Sequence, residues 1–175
     1  NHINALHFKL EKPKGIILFC HGNSGNLDKW GSKVSFFLDF NYEVLVFDYR
    51  NYGKSTGSYN EEKMYADALF VYSYLNNIFR EETIVVYGFS IGSTFATRIA
   101  ALNNPKEVIL EAPFFNFKKV VQHYSKFAPI FLLKYQFRTD LDIVKVTAPI
   151  TIFHGNKDEI TPFKDAKMLF ELNQS

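Results

Sequence analysis

The stretch Val85-Val86-Tyr87-Gly88-Phe89-Ser90-Ile91-Gly92-Ser93-Thr94 decides how this chain is read. It passes from a β-branched apolar run into a serine with a glycine two positions to either side. Taken alone, Gly88-Phe89-Ser90-Ile91-Gly92 is an ordinary kind of turn, because glycine and serine both favour turns. What flanks it determines whether the serine is a nucleophile or a structural residue.

The flanking chain has a regular rhythm. Short apolar runs at 16–20, 43–48, 83–88, 107–111 and 149–153 have the Ile, Val, Leu and Phe content of parallel strands covered on both faces. Leu6, Phe8 and Leu10 alternate with polar neighbours ahead of the turn Pro13-Lys14-Gly15, as in a half-exposed edge strand. Between the runs, Met64, Ala68, Val71 and Leu75 predict a helix over 61–79, and Ile91, Phe95, Ile99 and Leu102 predict one over 91–102. Strand and helix in alternation predict an α/β fold with a mostly parallel sheet and helices on both faces. Segment 113–148 breaks the rhythm. It is Phe-rich, too long for a simple connection and too apolar for disorder, which predicts a small helical insertion after the fifth strand. That insertion is either a cap over a pocket or ordinary packed helix. No linker or repeat divides the chain, so a single domain over 1–175 is expected.

Composition narrows the function. With 47% hydrophobic and 17% aromatic residues, the 175-residue chain suits a globular core. The net charge of +2 comes from 20 basic and 18 acidic residues spread along the chain, so no nucleic-acid partner is expected. The single cysteine, Cys20, lies in an apolar run and reads as a buried thiol with no partner for an intramolecular disulfide. No apolar run approaches the roughly 20 residues that span a bilayer, and the start Asn1-His2-Ile3-Asn4 lacks the pattern of a signal peptide. The expectation is a cytoplasmic protein. The chain has no initiating Met, which leaves open a lost N-terminal anchor or signal.

Ser90 falls where a buried strand gives way to a helix, the setting of a nucleophile elbow. There the hydroxyl would stand at the carboxyl edge of the sheet, with the positive end of the next helix aimed at developing negative charge. His21-Gly22-Asn23-Ser24-Gly25 follows the first buried strand and forms a loop able to aim a backbone N–H at an oxyanion. Asn23 and Ile91 are the expected pair of amide donors. His21 itself reads as a structural loop residue. Asp158, after the last buried strand, has the position of the acid that orients a catalytic histidine. No metal ion or organic cofactor is needed, and the expected partner is a small-molecule or acyl-group substrate. Lys118, Lys119 and Lys126, interleaved with Phe117, Val120, Val121 and Phe127, form either a basic amphipathic surface for lipid headgroups or a solvated helix face.

Four stretches together carry a resemblance: "LFCHGNSGN" (18–26), "VFDYRNYGKSTG" (46–57), "VVYGFSIGS" (85–93) and "IFHGNKDEITP" (152–162). The chain resembles the α/β-hydrolase superfamily, in particular the single-domain branch that includes the ABHD-type depalmitoylating thioesterases and related bacterial hydrolases. The resemblance implies serine hydrolysis of an ester, thioester or amide through an acyl-enzyme on Ser90, with 48–50 and 53–55 as scaffold and rim.

The resemblance also implies a catalytic histidine beyond the acid, after one more helix and one more strand. Thr161-Pro162 reads as a helix start, Phe163, Ala166, Leu169 and Phe170 continue it, and no histidine follows Asp158. Of His2, His7, His21, His123 and His154, only His123 is entertained as a substitute base. Two explanations fit. In one, the last strand, the last helix and the histidine are encoded beyond Ser175, and residues 1–175 alone form a weak enzyme or none. In the other, the fold is kept without a base as a non-catalytic protein that binds an apolar ligand or a protein partner.

Overall fold

The apolar runs form strands because side chains on both faces can be buried with few polar residues between them. The computed structural model describes residues 2–174, and Asn1 and Ser175, the ends of the expected domain, lie outside the described residues. Strands β1 (Ala5–Phe8), β2 (Gly15–Cys20), β3 (Tyr42–Phe47), β4 (Ile84–Phe89), β5 (Glu107–Glu111) and β6 (Ile150–Phe153) form one sheet in the order β1-β3-β2-β4-β5-β6. β1 runs antiparallel to β3, pairing Ala5 with Phe47 and Phe8 with Val44, and every other neighbouring pair is parallel. The half-exposed β1 is an edge strand, while all six residues of central β2 are buried. β1 stops short of Leu10, whose N–H donates to the Glu43 carboxylate (3.0 Å) instead of a ladder carbonyl.

Six helices flank the sheet: α1 (Leu27–Val34), α2 (Glu61–Asn76), α3 (Gly92–Leu102), α4 (Phe117–Tyr124), α5 (Thr139–Ile143) and α6 (Phe163–Asn173). α2 starts where the Asn60 side chain accepts the Lys63 N–H at 2.9 Å, which satisfies a donor that has no partner within the helix. Its stripe of Met64, Ala68, Val71 and Leu75 is buried as predicted. The helix ends three residues before the apolar pattern does, because the Ile78 N–H tightens onto the Leu75 carbonyl. α2, α3 and α5 pack on one face against Ile16, Leu18, Phe47 and Leu110. α1 packs on the other against Ile17, Phe19, Val44 and Val46. The periodicity reading passes over α1, where polar residues outnumber the buried Leu27, Trp30 and Val34. Helices on both faces and a mostly parallel sheet agree with the sequence reading.

Segment 113–148 contains α4, a 3-10 turn at Ile130–Leu132 and α5, joined by extended chain. Phe114 and Phe137 are buried in the main core, Phe137 making edge contacts with Phe95 and Tyr65, whereas Phe127 and Phe131 face outwards. Three clasps hold the segment. The Glu61 carboxylate accepts the Gln136 and Phe137 N–H groups (2.7 and 2.8 Å), Asp165 accepts the Phe115 N–H (3.2 Å), and Arg98 pairs with Asp142 (2.6 Å). α6 begins differently from the sequence reading. Pro162 occupies the cap position and Phe163 the first helical one, because the Thr161 hydroxyl donates to Asp158 (3.0 Å) rather than capping the helix. Ala166 and Leu169 are buried, while Phe163 and Phe170 are exposed.

The tightest packing lies where α3 meets the end of β2. A Cβ at Gly92 would overlap the Cys20 carbonyl and stand 2.7 Å from the His21 oxygen, both rigid backbone. Gly92→Ala is therefore expected to lower the unfolding free energy by about 3 kcal/mol or more, as for an overpacked core site. Urea unfolding measures this, and a loss below about 1 kcal/mol would show that the approach of helix to strand is not a constraint.

Candidate active site

β4 ends at Phe89 and α3 begins at Gly92, so Ser90 and Ile91 must reverse the chain between them. Ser90 has φ 54°, in the left-handed region that side-chain-bearing residues rarely enter. Two hydrogen bonds hold it there. Its N–H donates to the Glu111 carbonyl of β5 (2.8 Å), and its carbonyl accepts the Ser93 N–H (2.9 Å). The sequence reading assigned the sharp turn to the two glycines. In the structure the left-handed backbone falls on the serine, and Gly88 and Gly92 serve close approach, a Cβ at Gly88 coming within 2.7 Å of the Ser93 nitrogen.

Ser90, Ile91 and Asn23 line one cavity of about 300 Å³. Ile91, ahead of the first helical residue, has an N–H with no acceptor inside α3, and neither it nor the Asn23 N–H is taken by a backbone carbonyl among the described residues. The loop that carries Asn23 rests on a buried base. The His21 ring lies against Tyr49 and Trp30, its Nδ1 donating to the Gly22 carbonyl (2.7 Å), and the Tyr49 hydroxyl donates to the His21 carbonyl (2.8 Å). Burial lowers the pKa of His21 against the opposing pull of the Gly22 carbonyl and Asp48. Its Nε2 faces Asp48 Oδ1 at 3.5 Å without a hydrogen bond. Burial among apolar neighbours likewise raises the pKa of the Cys20 thiol.

The opposite wall comes from the insertion and from residues that the sequence reading did not single out. Phe114, Phe117, Val120, Tyr135 and Phe137 line it, with Tyr59, Ile160 and Thr161 at its margin. Tyr52 donates to the Asn23 side-chain oxygen at 2.6 Å, while Tyr59 sits against both Tyr52 and Tyr135. Burial, followed by the neighbouring Tyr52, raises the pKa of the Tyr59 hydroxyl and keeps it neutral. No spacing marks these tyrosines in the sequence. They converge only because the loop after β3, the start of α2 and the insertion meet at the carboxyl edge of the sheet.

Asp158 stands beside this cavity and not among its lining residues. Its Oδ1 accepts the Ile160 and Thr161 N–H groups (2.8 and 2.9 Å), and its Oδ2 accepts the Thr161 hydroxyl. Partial burial would raise its pKa, but these donors, with His154 at 3.7 Å, outweigh burial and bring it below the ordinary value. None of the five histidines lines the cavity or hydrogen-bonds the Ser90 hydroxyl among the described residues. His123 Nε2 bonds the Glu159 carbonyl (3.1 Å), and His154 Nε2 donates to the Thr161 carbonyl (2.7 Å). His7 pairs with Glu43 on the far side of the sheet edge (2.7 Å).

The mostly parallel sheet and its flanking helices agree with a comparison against known proteins. The family model for the alpha/beta hydrolase fold matches residues 15–127. The chain belongs to this family. Its alpha/beta hydrolase relatives include "Lysophosphatidylserine lipase ABHD12" of Danio rerio, 29% identical over 90% of this chain and 47% of that protein. Another is "Alpha/beta hydrolase domain-containing protein 17B" of Homo sapiens, 32% identical over 90% of this chain and 55% of that protein. The chain thus spans about half the length of the curated relatives it matches. Among solved structures, an alpha-beta hydrolase from Vibrio vulnificus superposes with a TM-score of 0.80 at 18% identity, covering 97% of this chain and 69% of that one. The Pyrococcus furiosus esterase Pf2001 superposes at 0.75 with 18% identity, covering 99% and 78%. At such identity these likenesses speak for the alpha/beta hydrolase fold alone.

The lowered pKa of Asp158 sets a sign for pH dependence. A carboxylate whose folded pKa lies below its unfolded one, near 3.9, stabilises the fold fully above that value and loses the contribution as pH falls through the folded pKa. Amide exchange at Ile160 and Thr161, taken relative to the intrinsic rate at each pH, is therefore expected to accelerate below about pH 4 in the native protein. In Asp158→Asn it should be faster already at neutral pH and less responsive to acid. Equal exchange in both proteins across the range would refute this role.

Proposed function

We propose that the protein is a serine hydrolase that cleaves a carboxylic ester or thioester, with an amide as a further possibility in the same chemistry, through an acyl-enzyme on Ser90. The observation that carries this reading is the left-handed Ser90 at the mouth of an apolar cavity, flanked by two backbone N–H groups that no carbonyl occupies. The Ser90 oxygen attacks the acyl carbonyl as its proton passes to a base, and the Asn23 and Ile91 amides receive the oxyanion. Collapse breaks the bond to the alcohol or thiol, which leaves with that proton; water, giving a proton to the same base, then attacks the acyl-enzyme and frees the carboxylic acid and the Ser90 hydroxyl. Residues 1–175 act as a single domain in which 113–148 forms the cap.

The aromatic lining of the cavity favours an acyl chain, because such pockets are mostly apolar with few polar groups to fix orientation. One relative bears on the substrate class: it is named a lysophosphatidylserine lipase. Asp158, whose Oδ2 accepts the Thr161 hydroxyl and faces His154 Nε2 at 3.7 Å, is the acid in this scheme. The base in this scheme is a histidine that Asp158 orients, and none of the five within residues 1–175 lines the cavity among the described residues.

One observation favours a second reading, that of a non-catalytic binder: no histidine meets the Ser90 hydroxyl among the described residues. A fluorophosphonate probe separates the two. In protein carrying the residues encoded after 175, the probe is expected to add covalently to the peptide containing Ser90, and Ser90→Ala should abolish labelling while leaving the fold intact by circular dichroism. Absence of any adduct in the folded protein would establish the binder.

Tyr52 supports the oxyanion loop without reaching the reacting atoms. Tyr52→Phe removes the hydrogen bond to Asn23 and is expected to lower kcat about fivefold, the worth of one net hydrogen bond, with KM nearly unchanged. Steady-state kinetics on a p-nitrophenyl ester measures it, and a change confined to KM would contradict the assignment.

A further inference from the structure

The insertion has an outer surface that the cavity does not use. Phe127 and Phe131 are 97% and 85% exposed, and Tyr124, Leu132 and Ile160 beside them are exposed as well. Single exposed apolar residues are common on proteins, but a contiguous group of large ones marks a surface that meets something apolar. Tyr124 and Ile160 touch, the Tyr124 hydroxyl donating to the Ile160 carbonyl (3.4 Å), α4 packs near the 130–132 turn that carries Phe131 and Leu132, and Ile160 also lines the Ser90 cavity.

Charge is segregated in the same place. The chain is nearly balanced, with 20 basic and 18 acidic residues, yet from Ala112 to Thr139 it contains Lys118, Lys119, Lys126, Lys134 and Arg138 and no Asp or Glu at all. Lys119 folds inward over Phe115, and Arg138 is neutralised by Asp140, so Lys118, Lys126 and Lys134 are the exposed cations. Lys118 also lines a groove of about 390 Å³ with Ile130, Phe131 and Leu133. The adjoining loop adds one exposed acid, Glu159, offset by Lys157.

We infer that this face docks onto a lipid surface bearing anionic headgroups, with Phe127, Phe131 and Leu132 entering the boundary between headgroups and acyl chains and the three lysines meeting the headgroup charge. Apolar insertion combined with cationic attraction is how proteins bind such an interface without spanning it. The docked orientation turns the mouth of the Ser90 cavity toward the lipid, so an acyl chain leaves the bilayer close to where it would be held. In that respect the inference extends the hydrolase reading, but the docking itself does not need Ser90.

Co-sedimentation with phosphatidylcholine vesicles, with and without phosphatidylserine, tests it. The protein is expected to partition onto the phosphatidylserine vesicles and to be released as salt rises. Phe127→Ser combined with Phe131→Ser should weaken partitioning about tenfold or more, and each of Lys118→Gln, Lys126→Gln and Lys134→Gln about fivefold. Ser90→Ala should bind vesicles as the native protein does and label with no probe, so failure of docking and failure of hydrolysis are read separately. All five substitutions in the docking face are at exposed positions and should leave the unfolding midpoint unchanged. Equal binding to both vesicle types, or full binding by the Phe127/Phe131 double variant, overturns the inference. So does a native dimer in sedimentation that the double variant converts to monomer, since the face would then be covered by a second copy.

Discussion

The site depends on the contact between the N-terminus of α3 and the end of β2. Gly92 lies against the Cys20 carbonyl with no room for a methyl group, and that proximity fixes how far the helix can withdraw from the sheet. With the helix pinned there, the two residues between β4 and α3 have too little chain for a relaxed turn. The strain falls on Ser90, which the Glu111 carbonyl and the Ser93 amide hold in place from opposite sides. Strain of this kind persists only where the surroundings over-determine it. Here two buried elements, β5 and α3, do so, and the result is a hydroxyl presented at a cavity instead of packed in the core.

The same contact brings the Asn23 loop into range. The loop leaves β2 immediately after the residue that Gly92 touches, so its position follows from that of the helix. Beneath it, His21 is packed among Trp30, Tyr49 and Tyr52, and the Tyr49 hydroxyl is bonded to its carbonyl. Two amides on separate elements, at 23 and 91, thereby reach one cavity. Rigid aromatic packing under a glycine-rich loop is what lets a flexible composition hold a fixed shape.

Much of this was legible in the sequence. Strand positions, the parallel sheet and the strand-turn-helix setting of Ser90 all follow from apolar runs and glycine spacing, since buried strands and helix stripes leave a periodic trace. α1 was missed because only three of its large apolar residues, Leu27, Trp30 and Val34, are buried and polar ones dominate its surface. The start of α6 was misread because the Thr161 hydroxyl can accept a helix N–H as a cap or donate to a carboxylate, and in the fold it donates to Asp158. Tyr52, Tyr59 and Tyr135 were not legible at all. Tyr52 and Tyr59 come from the connection between β3 and α2 and Tyr135 from the distant insertion, and only the folded sheet edge brings them into contact.

Glu61 fastens the far wall of the cavity to the first turn of α2 through the amides of 136 and 137, while the elbow is built from β4, β5 and α3. Floor and wall rest on separate supports. Reshaping that wall at Phe117, Val120 and Tyr135 alters what the cavity admits and leaves the Ser90 turn untouched. Within such an architecture the choice of guest drifts by insertion and deletion over generations, and the turn that bears the hydroxyl is inherited intact.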